Sequence, residues 1–225
     1  MIGFYDYTVL LTYGSVISAV VGIILALSGS GHPYIAIFLL MFSGLCDAFD
    51  GRVARTKKDR TEQMRNFGIQ IDSLADLAAF GILPVCIGVS LYGRAQRLEL
   101  GGFQLPLALV IVVSCLYILG ALIRLAYFNV TEEEMQSSGQ SKRKFYTGLP
   151  VTSAALIFPT FVLIDRLIPA DLTWVYHVVM LATAAAFVGK FRLRKPGFKT
   201  ILVLVAIGLV EFLLFFLNHF VIRHG

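Results

Sequence analysis

The sequence predicts an all-α, polytopic integral membrane helical bundle, and three observations carry that expectation. Hydrophobic residues make up 57% of the 225 positions and charged residues only 15%, with a mean hydropathy of +0.79; soluble domains do not have this balance. Seven apolar runs follow one another, most near the ~20 residues that cross a ~30 Å hydrocarbon core at about 1.5 Å per residue. Lysine and arginine gather in alternate loops, as expected of a chain that crosses repeatedly.

The first run, 9–27, follows a short segment rich in Phe and Tyr that carries Asp6 and no basic residue. A cleaved signal peptide would begin with a basic stretch, so this run reads as a retained anchor. Runs two and three, 34–54 and 69–92, form a hairpin about a short basic loop. Run four, 105–128, leads into a polar stretch, 131–144, that is acidic and then basic and reads as a mobile cytoplasmic loop. Runs five and six, 149–168 and 172–188, are short and separated by Pro169-Ala-Asp171, which suggests a tight hairpin. The last run, 200–222, is long enough to span once or to break. The expectation is one membrane domain over 1–225, with a catalytic hairpin at about 34–92 and C-terminal helices at about 149–222.

Charge orients the bundle. Lys57, Lys58, Arg60 and Arg65 lie between runs two and three, Lys142, Arg143 and Lys144 between four and five, and Lys190, Arg192, Arg194, Lys195 and Lys199 between six and seven. The opposite loops hold Arg94, Arg97, Arg166 and little else. The positive-inside rule then puts the N-terminus and these basic loops in the cytoplasm. The simplest role for the basic loops is this topology signal, with attraction of anionic headgroups compatible. Cys46, Cys86 and Cys115 all fall in apolar runs, at spacings that fit neither a metal knuckle nor a disulfide framework.

Against this background four carboxylates stand out: Asp47, Asp50, Asp72 and Asp76. Ionisable groups in membrane segments are costly and mark function. Asp47 and Asp50 are three apart and Asp72 and Asp76 four apart, so each pair shares a helix face. An antiparallel hairpin brings the pairs together, where they repel unless a cation lies between them. Ligands that are all oxygen favour a hard divalent ion, Mg²⁺ or Mn²⁺, and four carboxylates can hold two, an arrangement suited to clamping a phosphoryl group. Counted back from Arg55, the first pair lies about 7–12 Å inside the helix end. The site is therefore expected in a cavity just below the cytoplasmic interface, within reach of lipid and of water. Gly51 and Gly68 beside the carboxylates allow close approach of a planar ring or phosphate, or simply close helix packing. Arg55 can bind phosphate or snorkel to the interface.

The ordered set Asp47-x-x-Asp50-Gly51-x-x-Ala54-Arg55…Gly68-x-x-x-Asp72-x-x-x-Asp76 resembles the signature of the CDP-alcohol phosphotransferases. Three further stretches resemble the branch of that family that uses L-serine: Asn66-Phe-Gly-Ile-Gln-Ile-Asp-Ser-Leu-Ala-Asp76 with Phe80-Gly81 after it, Arg124-Leu-Ala-Tyr-Phe-Asn129-Val, and Phe145-Tyr-Thr-Gly-Leu-Pro-Val151, with Pro196-Gly-Phe-Lys199 a weaker fourth. The segment between the motif's Arg and its next Gly, 56–67, is longer here than in the family pattern, and the additional residues are polar and basic. The resemblance implies a six-helix core plus an extra C-terminal span, two divalent metal ions (Mg²⁺ or Mn²⁺) held by Asp47, Asp50 and Asp72 with Asp76 near them, and Asp76 as general base. It implies that Gly51, Ala54, Arg55 and Gly68 line the CDP moiety. The expected partners are CDP-diacylglycerol, a small alcohol (L-serine favoured), membrane lipid and a second copy of the chain, with no nucleic acid. The expected location is a prokaryotic plasma membrane with the site facing the cytoplasm.

An acceptor that is both carboxylate and ammonium needs a cation and acceptors. Arg124, near the cytoplasmic end of its run, can bind the serine carboxylate, the lipid phosphate or a motif Asp. Asn129, Tyr146 and the basic run 142–144 lie on the same side, and Ser73 adjoins Asp72. Glycerol 3-phosphate or an inositol phosphate is the alternative acceptor. The four histidines, His32, His177, His219 and His224, neighbour no motif, and Glu211 in the last run has no assigned role. A cation or proton transporter also uses intramembrane carboxylates, but such sites tend to lie at the midplane of repeated halves; this chain has no repeat, and its cluster comes from one hairpin near one face.

Overall fold

The computed structural model describes residues 3–28, 32–97, 103, 105–137, 145–168, 173–194 and 198–217. Lys142–Lys144, Pro169-Ala-Asp171, Lys195, Pro196, His219 and His224 therefore lie outside the described residues. The architecture is an all-α bundle: α1 Leu10–Leu27, α2 Pro33–Thr56, α3 Glu62–Asp76, α4 Leu83–Arg97, α5 Leu107–Ser137, α6 Ala154–Leu167, α7 Thr173–Val188 and α8 Phe198–Phe216. A π-helical segment, Leu77–Ile82, joins α3 to α4, so Glu62–Arg97 runs as one 36-residue helix. Among the described residues each of the seven apolar runs carries helix, the third running through α3, the π-helical segment and α4. Four stretches among the described residues are long and apolar enough to cross a membrane: Tyr7–Leu27, Pro33–Thr56, Glu62–Arg97 and Leu107–Thr131. Of the C-terminal helices, α6 and α7 are shorter, at 14 and 16 residues, and α8 carries an apolar stretch over Leu202–Leu214.

Local chemistry fixes the helix ends. Asp6 caps the 3₁₀ turn Tyr7–Val9 by accepting from Thr8 N at 2.8 Å. Pro33 occupies the first turn of α2, where its missing N–H goes unused. Thr61 caps α3, its Oγ1 accepting from Met64 N at 3.2 Å. Asp6 also pairs with Lys57 Nζ at 2.7 Å, and Thr56 Oγ1 donates to Tyr7 Oη at 3.2 Å. The chain's beginning is thus tied to the end of α2.

Small and hydroxylic residues let the helices meet closely, as membrane packing favours. Ser18 Oγ donates to Leu39 O at 2.9 Å and Ser43 Oγ to Ser15 O at 3.1 Å, joining α1 to α2. A Cβ added at Gly44 of α2 would stand only 2.4 Å from Ala155 Cβ of α6, so these two helices touch just above the first carboxylate pair. The core centres on Phe80, Leu83, Ile87, Tyr117, Phe158 and Tyr176, all fully buried. The rings of Tyr117, Phe158 and Tyr176 pack edge-on or tilted at 5.0–5.6 Å.

Two features lie outside a helix-only expectation. Phe145–Thr147 and Arg192–Arg194 pair as a short antiparallel ribbon, with Tyr146 opposite Leu193. Gly148 follows it with φ +77°, and its N–H bonds Phe191 O at 2.8 Å while Leu149 N bonds Ala186 O at 3.0 Å. This fastens the segment before α6 onto the end of α7.

Candidate active site

Helix α2 supplies Asp47 and Asp50, one turn apart near its C-terminal end, and α3 supplies Asp72 and Asp76 near its own. The hairpin brings them face to face. Asp47, Asp50 and Asp72 each offer a carboxylate oxygen, and these oxygens lie within 4.8 Å of one another. Asp76 stands against Asp47, and Asp72 against Asp50. Asp50 and Asp76 are each 8% exposed, so their charges cannot be dissipated by water. Thr12 Oγ1 of α1 lies 3.5 Å from Asp50 Oδ2 and closes that side. Three oxygens this close can converge on one hard divalent ion, whose oxygen distances run at roughly 2.0–2.6 Å. The donor set, all carboxylate, fits Mg²⁺ or Mn²⁺ and argues against a soft metal.

The four carboxylates line a cavity of about 860 Å³ together with Gly51 and Arg55. Arg124 of α5 reaches the same cavity; it is 6% exposed, its Nε donates to Leu149 O at 3.1 Å, and its guanidinium carbon sits 5.6 Å from the Phe128 ring centre. Leu149 is held by the end of α7, so the ribbon region indirectly sets Arg124. The cavity continues away from the carboxylates along Leu204, Val205, Gly208, Leu209 and Phe212 of α8. One space therefore joins a polyacidic end to an apolar groove between α2, α6 and α8. Helix α8 is docked there by Phe212 against Phe38 at 4.9 Å and by a hydrogen bond from Thr160 of α6 to Glu211, which gives that carboxyl group a partner.

The other candidates stand elsewhere. Ala54 and Gly68 do not line the cavity. A Cβ at Gly68 would lie 2.7 Å from Arg60 Nη2, and Arg60 spans the loop by donating to Ala54 O at 3.3 Å and Met64 O at 3.4 Å. Arg55 Nε donates to Gly51 O at 2.7 Å. Ser73 and Asn129 hydrogen-bond to each other rather than facing the cavity. Tyr146 lies in the ribbon. His177 is buried at the other end of the bundle, its Nδ1 3.1 Å from Thr173 O. Arg52, Thr152 and Ser153, which no motif role marks, also line the cavity; the hydroxyl pair directly follows the Leu-Pro-Val stretch, its one signal in the sequence.

A membrane-embedded bundle with a buried carboxylate cluster opening onto an apolar groove is equipped for metal-assisted chemistry on a lipid phosphate. The chain belongs to the CDP-alcohol phosphatidyltransferase family, whose family model matches residues 8–188. Among curated proteins it is 31% identical over 192 residues to a CDP-diacylglycerol–serine O-phosphatidyltransferase of Helicobacter pylori strain J99, covering 78% of this chain and 69% of that one. It is 35% identical over 134 residues to the enzyme of the same name from Saccharomyces cerevisiae, covering 58% and 43%. It is also 32% identical over 146 residues to the archaetidylserine synthase of Methanothermobacter thermautotrophicus, covering 65% and 53%. The chain thus spans about half the length of several relatives it matches. Helix α8 lies beyond the residues that the family model matches.

Proposed function

We propose that this protein transfers the phosphatidyl group of CDP-diacylglycerol to the hydroxyl of L-serine, giving phosphatidylserine and CMP. The observation that carries the reading is the single cavity that joins four carboxylates to an apolar groove: a nucleotide-activated lipid is polar at one end and apolar at the other. The names of the relatives support serine as the acceptor, with the three serine-type stretches of the sequence.

In this reading Asp47, Asp50 and Asp72 would hold two divalent ions, with Asp76 adjoining them, and ions held there would supply positive charge to offset that of a pyrophosphate. Gly51 leaves room beside the carboxylates for the CDP moiety, and Arg55 offers a guanidinium at the mouth. The acyl chains lie along α8. Asp76, beside the cluster and screened from bulk water, takes the proton of the serine hydroxyl. The serine oxygen then attacks the phosphorus that carries diacylglycerol, and the bond from that phosphorus to the CMP oxygen breaks. Arg124, buried in the same cavity, pairs with the serine carboxylate or the lipid phosphate. The protein works as a homodimer in a prokaryotic plasma membrane, its site toward the cytoplasm and no nucleic acid involved.

The test is direct. Purified protein is incubated with CDP-diacylglycerol, Mg²⁺ or Mn²⁺ and separately L-serine, glycerol 3-phosphate and an inositol phosphate, and the lipid product is identified. Phosphatidylserine formed only with serine supports the reading. Product from another alcohol reassigns the acceptor, and activity that survives exhaustive EDTA treatment removes the metal.

A further inference from the structure

Asp76 stands at a joint in its helix. It is the last residue of α3, and the π segment Leu77–Ile82 begins at the next position. The Leu83 N–H there closes back five residues, onto Ala78 O. Such a turn accommodates one more residue than an α turn, which amounts to roughly 100° of helix rotation. The face that α4 buries in the core, Leu83 and Ile87, is therefore turned relative to the face that carries Asp72 and Asp76. An α-helical joint would aim the two carboxylates elsewhere.

What holds the π segment is visible on its far side. Pro84 has no N–H, and Phe80, four residues earlier, is the carbonyl that an α-helical residue 84 would bond. Tyr117 of α5 donates its hydroxyl to Phe80 O at 2.7 Å. Tyr117 is fully buried, its ring set among Phe158 and Phe187. One helical turn on, Ala121 abuts Gly81, where an added Cβ would lie 3.5 Å from Ala121 Cβ and 2.9 Å from Leu77 Cδ1. Another turn brings the same helix to Arg124 in the cavity. In a bundle interior without bulk water, a freed carbonyl keeps its place only where a protein donor meets it.

We propose that Tyr117 is a positioning residue for the reaction: its hydroxyl, by holding the Phe80 carbonyl, locks the π segment that turns Asp76 toward Asp47. The inference rests on the part given to Asp76 above. Tyr176 supplies an internal comparison, because its hydroxyl donates to Pro84 O at 2.8 Å, on the α4 side of the joint.

The experiment compares Tyr117→Phe, Tyr176→Phe and wild type in full-length protein. Tyr117→Phe is expected to lower kcat for CMP release about tenfold to a hundredfold, with KM for the CDP-lipid and the metal concentration for half-activation unchanged, which is how a loss confined to the transition state reads. Amide hydrogen exchange over 77–83, measured without substrate, is expected to accelerate in Tyr117→Phe and to stay near wild type in Tyr176→Phe, whose kcat is also retained. Equal kcat losses in the two variants, unchanged kcat in Tyr117→Phe, or unchanged exchange over the π segment overturns the inference. Should Tyr117→Phe not fold, Gly81→Ala presses on the same segment from Leu77 and is expected to give the same split, an unchanged kcat again overturning it. Because the exchange measurement needs no substrate, it decides the structural claim even if wild type releases no CMP with serine, an outcome that refutes the acceptor assignment instead.

Discussion

Asn129 on α5 donates its amide to Ser73 Oγ on α3 at 2.9 Å, and Ser73 Oγ lies 3.0 Å from Asn129 Oδ1. The two groups satisfy each other, one position away from Asp72. They therefore act as a tie between helices that fixes the azimuth of the second carboxylate pair. Ser73→Ala and Asn129→Ala are expected to weaken thermal stability by similar amounts, and the double variant by less than their sum. The coupling should be about 0.6 kcal/mol and no more than ~1.7 kcal/mol, the span of hydrogen bonds between membrane helices. A double-mutant cycle on unfolding midpoints measures it, and strict additivity would refute the tie.

The carboxylates should separate by role. Asp50→Asn replaces one of the three convergent carboxylates with a neutral amide, so it is expected to raise the metal concentration for half-activation. Asp76→Asn is expected to leave metal binding largely intact while turnover at saturating metal falls about 10²–10⁴-fold, the usual scale for losing a general base. Mn²⁺ titration followed by CMP release checks both, and near wild-type turnover in Asp76→Asn would sink the base assignment.

Gly148 should tolerate no side chain. Its φ of +77° disfavours any L residue by roughly 1–2 kcal/mol, and an added Cβ would stand 2.7 Å from Phe187 O. Gly148→Ala is expected to lower the unfolding midpoint and, by shifting Leu149, to loosen Arg124 and reduce turnover. Gly93→Ala is the control: its Cβ meets only Arg97 Nη1 at 3.7 Å, and helix propensity favours Ala by up to about 1 kcal/mol. Its midpoint should hold or rise.

Acid should release the chain's beginning. The hydrogen bond from Lys57, and then that from Thr8, holds the Asp6 carboxyl down to about 2 from 3.8. A carboxylate whose folded value is depressed adds stability that is fully present above its unfolded value and lost as pH falls through its folded one. The contribution is therefore intact at neutral pH, and it disappears between about 3.8 and about 2. Its size is about 0.2–1 kcal/mol, because water screens the pair. Protease nicking near Tyr7 should be faster in Asp6→Asn than in wild type at neutral pH, and spectroscopic mobility of the segment should become equal in the two near pH 2. A difference that persists at that pH would refute the account.

The helices and the carboxylate cluster were legible because both rest on local pattern. Apolar runs announce helices by length, and acids three or four apart announce a shared face. The π segment was not legible, since a closure of five residues leaves no mark on an apolar run; Pro84 was its one trace. The ribbon joins two three-residue strands that are distant in sequence, each too short to carry a period. Helix α8 was visible as a helix but not as a wall of the site, because its groove-facing residues are as apolar as lipid-facing ones. Gly68 is expected to admit a planar ring or phosphate or to let helices pack closely, and Arg60 from the lengthened loop stands over it, a contact that depends on the loop's path. Ser73 adjoins Asp72 in the sequence and Asn129 is expected on the same side of the membrane; their pairing depends on how α3 crosses α5.

The bond between Thr160 and Glu211 bears on how the protein is made. A helix with an ionisable group among its apolar residues enters a bilayer less readily than one without. Helix α6, which carries the matching hydroxyl, precedes α8 by 51 positions at that contact, so the ribosome has already delivered it when α8 emerges. Helix α8 can thus settle against a surface that is waiting for it, and the groove wall is completed only after α6 is in place.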